Sequence, residues 1–264
     1  MGYFSDKVIW ITGASSGIGL ALAQQCAKNG AKLILSSRSK DKLELVKNSL
    51  NNAEKHFVLP LDLENSGNFP ELAKLAFDHF GKIDILINNG GLSQRSEAWE
   101  TPLSVDRKLM EINYFGNIAL TKAVLPYFQQ QKQGQIAVIT SIAGKFGFYL
   151  RSAYSASKHA LHGFYESLSL EEAHNNIHVT LLVPGKINTP ISMSALNEKG
   201  ESHGEMDHNQ ATGMPAEVCA NKMLKAIENK KREVLIGNKE IKAVTIKRFS
   251  PWLFWKIIHK QSAQ

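Results

Sequence analysis

Tyr154 and Lys158 stand four residues apart in the run Tyr-Ser-Ala-Ser-Lys-His-Ala-Leu. In a helix that spacing sets both side chains on one face. A phenol with a pKa of about 10 is a poor base at neutral pH, and a neighbouring cation favours its ionised form. The pair reads as an acid–base couple, with the lysine lowering the phenol pKa toward the useful range. A second feature is Thr12-Gly13-Ala14-Ser15-Ser16-Gly17-Ile18-Gly19, which joins an apolar run to a helical pattern. Its glycines permit a tight turn and close approach of backbone to a pyrophosphate, and the helix N-terminus offers N–H groups. Ser141, just past another apolar run, can hydrogen-bond an oxygen on which negative charge develops.

These groups need a frame. Val8–Ile11, Lys32–Ser36, Phe57–Leu59, Ile83–Ile87, Gln135–Thr140 and His178–Val183 read as strands, with Val234–Ile236 a candidate last one. Their continuous apolar character fits a parallel sheet covered on both faces. Helical patterns alternate with them near 17–29, 40–51, 68–80, 102–131 and 152–175. The alternation predicts an α/β fold: one Rossmann-like, doubly wound parallel sheet with helices on both faces, spanning 1–264 as a single domain. The long irregular stretch 184–215 is expected to be a substrate loop or lid.

Composition narrows the classes. Of 264 residues, 43% are hydrophobic, which suits a globular chain. The two cysteines, Cys26 and Cys219, form no metal-binding or redox motif, and a reducing compartment is expected. No apolar stretch reaches the roughly 20 residues of a membrane span, and the first strand begins almost at once, so a cytoplasmic location is expected. The net charge is +7. Residues 222–260 hold eleven Lys/Arg against three acids, while the rest holds 20 basic against 21 acidic residues. A near-neutral body argues against nucleic-acid binding.

The glycine loop resembles the TGxxxGxG fingerprint of the short-chain dehydrogenase/reductase family. The resemblance continues through Asp62, Asn88-Asn89-Gly90-Gly91, Asn113, Ser141, Tyr154, Lys158 and Pro184-Gly185, in the family's order and across residues 6–237. It implies hydride transfer between a nicotinamide and a carbonyl or alcohol carbon, without a metal. Tyr154 would transfer the proton, Lys158 would support it and the nicotinamide ribose, and Ser141 would position the carbonyl oxygen. Asn113 would hold a water that links Lys158 to solvent. The implied cofactor contacts are Gly13, Ser15, Ser16, Gly17, Ile18 and Gly19, then Asp62, Leu63, Asn89 and Gly90, then Tyr154 and Lys158, and finally Pro184, Gly185, Ile187 and Thr189. Where the family usually has Ala, Gly90 is expected to loosen its loop. Oligomerisation as a homodimer or homotetramer through 102–131 and 152–175 is also implied.

The second strand ends in Ser36-Ser37-Arg38 rather than in an acid that would grip a free ribose. A hydroxyl and a guanidinium suit a 2′-phosphate, so NADP(H) is the expected cofactor. Met193, Leu196, Met206 and Met214 in the lid, with Phe146, Phe148 and Tyr149, are candidates to line an apolar pocket. A bulky hydrophobic carbonyl compound is the expected small-molecule substrate. His203 and His208 read as surface residues without carboxylate support. The tail, 239–264, carries Ser250-Pro251 as a helix start, followed by Trp252-Leu253-Phe254-Trp255 among lysines. That helix suits either an anionic membrane surface or packing on its own domain or a sister subunit. A catalytically silent NADP(H) sensor or scaffold is the alternative on the same fold.

Overall fold

The computed structural model describes residues 2–260, apart from the side chain of Asn209; the last four positions of the expected tail lie outside the described residues. The chain runs β1 (Val8–Thr12), α1 (Gly17–Lys28), β2 (Lys32–Ser36), α2 (Lys40–Ser49), β3 (Phe57–Val58), α3 (Phe69–Phe80) and β4 (Ile85–Asn88). It continues through α4 (Leu103–Met110), α5 (Gly116–Gln131), β5 (Gly134–Ile139), α6 (Ser152–Glu171) and β6 (Ile177–Pro184). The remainder is β7 (Ile187–Asn188), α7 (His208–Ala211), β8 (Met214–Pro215), α8 (Ala216–Glu228), β9 (Glu233–Ile236), α9 (Lys242–Phe249) and α10 (Pro251–Ile258).

Seven strands form one sheet in the order β3-β2-β1-β4-β5-β6-β9, and every neighbouring pair is parallel. β1 shows why its sequence folds this way. All five residues are buried, and with side chains alternating across a strand they feed two separate cores. Ile9 and Ile11 join Leu22, Leu33, Leu43 and Met223 on one face. Val8 and Trp10 join Ile34, Leu72, Leu86 and Leu120 on the other. The buried Trp10 indole still finds a polar partner, donating to Ser36 Oγ at 2.8 Å.

The helix expected over 102–131 is interrupted. Residues Glu111–Phe115 form a π turn between α4 and α5, which breaks the regular ladder and leaves carbonyls to be satisfied otherwise. Asn117 does so: its buried amide donates to the carbonyls of Asn113 at 2.9 Å, Ile112 at 3.1 Å and Gly90 at 3.3 Å. The expected 152–175 helix ends at Glu171 and closes with a short 3₁₀ turn, Ala173–Asn175. Within the irregular 184–215 stretch, β7 and β8 pair as a small second sheet.

Replacing Asn117 with Ala removes the donor that serves three buried carbonyls. A loss of roughly 2–4 kcal/mol is expected, readable as a lower urea midpoint at unchanged slope.

Candidate active site

A cavity of about 670 Å³ opens along the C-terminal ends of the strands, where doubly wound sheets bind ligands. Its walls are the segments that leave β1, β2, β4, β5 and β6, together with the lid. The β1–α1 turn is built to approach a ligand. Gly13 and Gly17 have φ of +64° and +56°, which residues other than glycine rarely adopt. A Cβ on Gly19 would lie 2.2 Å from the Gly13 carbonyl oxygen, so Gly19 serves the turn's own packing and does not line the cavity. Asn89 holds the turn from β4, donating to the Thr12 carbonyl at 2.9 Å. The Thr12 hydroxyl accepts from the Asn89 and Gly90 amides, both at 2.9 Å.

Gly90 corrects the expectation of a loosened loop. A Cβ there would sit 2.6 Å from Leu63 Cδ1: the space an alanine methyl would take is filled by a side chain packed from across the loop. Asp62 closes its own turn, accepting from the Glu64 amide and from Asn65 Nδ2, each at 3.1 Å. At the far end Ser37, Arg38 and Lys42 meet at the wall. Among the described residues, the buried Ser37 hydroxyl oxygen has no hydrogen-bond partner. Ser15, Ser16, Ile18, Pro184, Gly185, Ile187 and Thr189 also line the cavity. The Pro184–Gly185 turn rests on Glu240, whose Oε1 accepts from the Lys186 amide at 2.9 Å.

The opposite end gathers Ser141, Tyr154 and Lys158. Tyr154 and Lys158 lie one turn apart on α6, both buried, with Lys158 Nζ 5.8 Å from the centre of the phenol ring. Burial raises the Tyr154 pKa, opposed by a hydrogen bond with Ser141 and by the nearby Arg151 and Arg95 charges. This reverses the expected lowering by Lys158, because in the dry site burial works on both groups. It pushes the lysine itself down to about 8. Lys158 Nζ donates to the Ile139 carbonyl at 3.0 Å, and among the described residues no carboxylate pairs with it.

Asn113 is fully buried in the π turn and does not line the cavity. Its Oδ1 accepts from the Leu92 amide at 2.7 Å, and its Nδ2 donates to the Leu92 carbonyl at 2.9 Å and to Ser157 Oγ at 3.0 Å. It thereby clamps the segment beside Lys158. A Cβ on Gly91 would lie 2.8 Å from Asn113 Oδ1 and 3.7 Å from Lys158 Nζ, so glycine lets the backbone pass close to both groups.

Several partners escaped the sequence reading. Gln94 is fully buried and caps α6 from outside the helix. Its Oε1 accepts from the Ala153 and Tyr154 amides at 2.9 and 3.2 Å, and its Nε2 reaches the Ser96, Thr101 and Ser152 hydroxyls. Asp207 from the lid pairs with buried Arg95, Nε to Oδ2 at 3.0 Å, and with Arg151 at 3.2 Å. Both arginines line the cavity. Sequence spacing gives no hint of pairs more than 50 residues apart. Of the expected apolar liners, Met193, Phe148 and Tyr149 reach the cavity. Leu196 packs against α4 and α6, Met214 joins the sheet core, and Met206 meets Ser192. Phe146 instead stacks on Phe148 and meets Phe254 edge-on. His208 is exposed, whereas His203 does meet a carboxylate, Asp207, at 4.0 Å.

With this geometry in view, the comparisons agree in kind. Residues 7–200 match the family model described as short chain dehydrogenase. The chain is 41% identical over 269 residues to a dehydrogenase/reductase SDR family protein 7-like of Anopheles gambiae, covering 98% of this chain and 84% of that one. It is 40% identical to human dehydrogenase/reductase SDR family member 7, covering 97% and 78%. A Burkholderia phymatum short chain dehydrogenase/reductase solved with NAD superposes with a TM-score of 0.85 at 24% identity, covering 96% of each chain. Levodione reductase gives 0.79 at 23%, covering 91% and 99%. Fold and site thus define a nicotinamide-dependent oxidoreductase of dehydrogenase/reductase type. The chain belongs to the short-chain dehydrogenase/reductase family.

The Lys158 charge makes a stability prediction. Its folded pKa of about 8 lies below the ordinary 10.5, so the unfolded chain binds more protons between those values. Stability therefore rises as pH climbs from about 8 to 10.5. At neutral pH the buried ammonium costs on the order of 3 kcal/mol. Lys158→Met is expected to recover roughly 1–3 kcal/mol at pH 7, measured by thermal unfolding, with the gain fading above pH 10.

Proposed function

We propose that this protein is an NADP(H)-dependent carbonyl reductase acting on an apolar carbonyl compound. One observation carries the reading: a single cavity joins Tyr154, Ser141 and Lys158 at one end to Ser37, Arg38 and Lys42 at the other. When bound, the nicotinamide would supply the hydride. The fit is good along the cradle. Gly13 and Gly17 line the cavity in the positive-φ conformation of a tight turn, and the unpartnered Ser37 hydroxyl, with Arg38 and Lys42, suits a 2′-phosphate. Asp62, Leu63, Asn89 and Gly90 would border the adenosine side, and Pro184–Thr189 the nicotinamide side.

The roles of the chain's own groups follow. A phenol pKa held above 10 keeps Tyr154 protonated at neutral pH, so it donates to the developing alkoxide during reduction. Ser141 orients the same oxygen by a second hydrogen bond. Lys158 stabilises the ionised phenol left behind, and Asn113, which holds the Leu92 segment beside Lys158, would position a water through which the proton is restored. Leu92, Phe148, Tyr149, Ile191 and Met193 give the substrate end an apolar lining. The protein is further proposed to work as a homodimer or homotetramer, with Phe115 and Leu170 exposed near the implied helix faces. A cytoplasmic setting suits its two buried, unpaired thiols.

The test is NADPH oxidation across ketones, aldehydes and quinones, run beside NADH. Tyr154→Phe should lower kcat by at least ~100-fold with NADPH affinity retained. Undiminished turnover would remove Tyr154 from the chemistry, and no turnover by wild type on any carbonyl would favour a silent sensor. For wild type, kcat/KM for reduction should fall as pH rises through about 8, where Lys158 loses its charge. Arg38→Glu should cut kcat/KM with NADPH by roughly 10–100-fold and leave NADH little changed.

A further inference from the structure

The tail is where the chain's excess charge and its exposed aromatics coincide. From 241 to 260 there are five lysines and arginines and no acid. α9 and α10 form a helical hairpin that is anchored inward by one aromatic. Phe254 is buried against Ile142, Phe146 and Val183, meeting Phe146 edge-on at 4.9 Å. This accounts for the packing of α10 on its own domain. It does not account for the other face.

Opposite Phe254, Trp252 is 63% exposed and Trp255 53%. Phe249 at the hairpin bend is 77% exposed, with Leu253 and Ile257 beside them at 37% each. Two of the cations sit over these rings: Lys256 on Trp252 at 4.7 Å and Arg248 on Phe249 at 5.7 Å. Ser250 begins α10 without using its side chain as a cap, and Pro251 occupies the first turn. An exposed apolar cluster of this size on a small domain marks an interaction surface.

Charge decides the partner. A second copy of this chain would bring the same acid-free, basic 241–260 segment to a contact between two hairpins, where like charges oppose each other. An anionic bilayer surface offers both halves of the complement: negative headgroups for the cations and an interfacial zone for the indoles. Among the described residues no helix is long and apolar enough to cross a membrane, so the contact lies along the surface. We infer that the α9–α10 hairpin docks this protein on an anionic lipid bilayer through Phe249, Trp252 and Trp255, with Arg248 and Lys256 meeting the headgroups.

Docking would hold the active-site mouth close to lipid. Ile258 on α10 lines the main cavity. A second hollow of about 210 Å³, between Phe148, Ile257 and Ile258, lies under the hairpin.

Flotation of the full chain with vesicles of phosphatidylcholine, with and without phosphatidylserine, tests the inference. Wild type should bind the phosphatidylserine vesicles and release in high salt. Arg248→Gln with Lys256→Gln should weaken binding roughly fivefold per charge removed. Trp252→Ala with Trp255→Ala should weaken it at least about tenfold, since the indoles no longer leave water. All four side chains are exposed, so thermal midpoint and NADPH affinity should not move. Equal partitioning of wild type and the tryptophan variant overturns the inference, as does binding that ignores phosphatidylserine. So does a self-associated state lost in the tryptophan variant without vesicle binding. The readout needs no turnover, so its failure leaves the reading of the cavity standing.

Discussion

The structure turns on one cost: an ammonium group kept in a dry place. Lys158 holds its proton against burial with a single carbonyl partner, Ile139, and the surrounding architecture serves to keep it there. α6 carries the lysine and is pinned at its start by Gln94. The π turn delivers Asn113 to clamp Leu92 alongside, and Asn117 repairs the ladder which that turn breaks. Each of these is a buried polar group with its partners accounted for, which is the condition for holding charge away from water.

The two ends of the cavity are built differently because their tasks differ. The β1–α1 end is shaped by subtraction: glycines and a tight turn remove side chains so that backbone can reach a ligand. The α6 end is shaped by burial, which moves the acidity of Tyr154 and Lys158 in opposite directions. Thr12 and Asn89 join the ends, since their hydrogen bonds fasten the β4 loop to the glycine turn.

Much of this was legible in order along the chain. Seven strands, the glycine turn and the Tyr154–Lys158 spacing are local patterns, and local patterns survive in a sequence. What stayed hidden depends on distance. Gln94 caps a helix that starts almost sixty residues later, and Arg95 meets Asp207 more than a hundred residues away. Gly90 looked like a missing methyl until Leu63 was seen filling its space. The direction of the Tyr154 shift is hidden from the sequence for a related reason. Spacing reports which groups are neighbours, whereas burial, which decided the outcome, is a property of the whole fold. The Phe254 anchor of α10 likewise became separable from its exposed neighbours only once the surface beneath was known.

The Asp207 pairing with Arg95 and Arg151 also bears on time. A lid closed by apolar contact opens when a few side chains slide. A lid closed by a buried carboxylate between two guanidiniums opens only when water reaches three ions together. Such a step is all-or-none in character, because freeing Asp207 leaves two guanidiniums without their shared carboxylate at once.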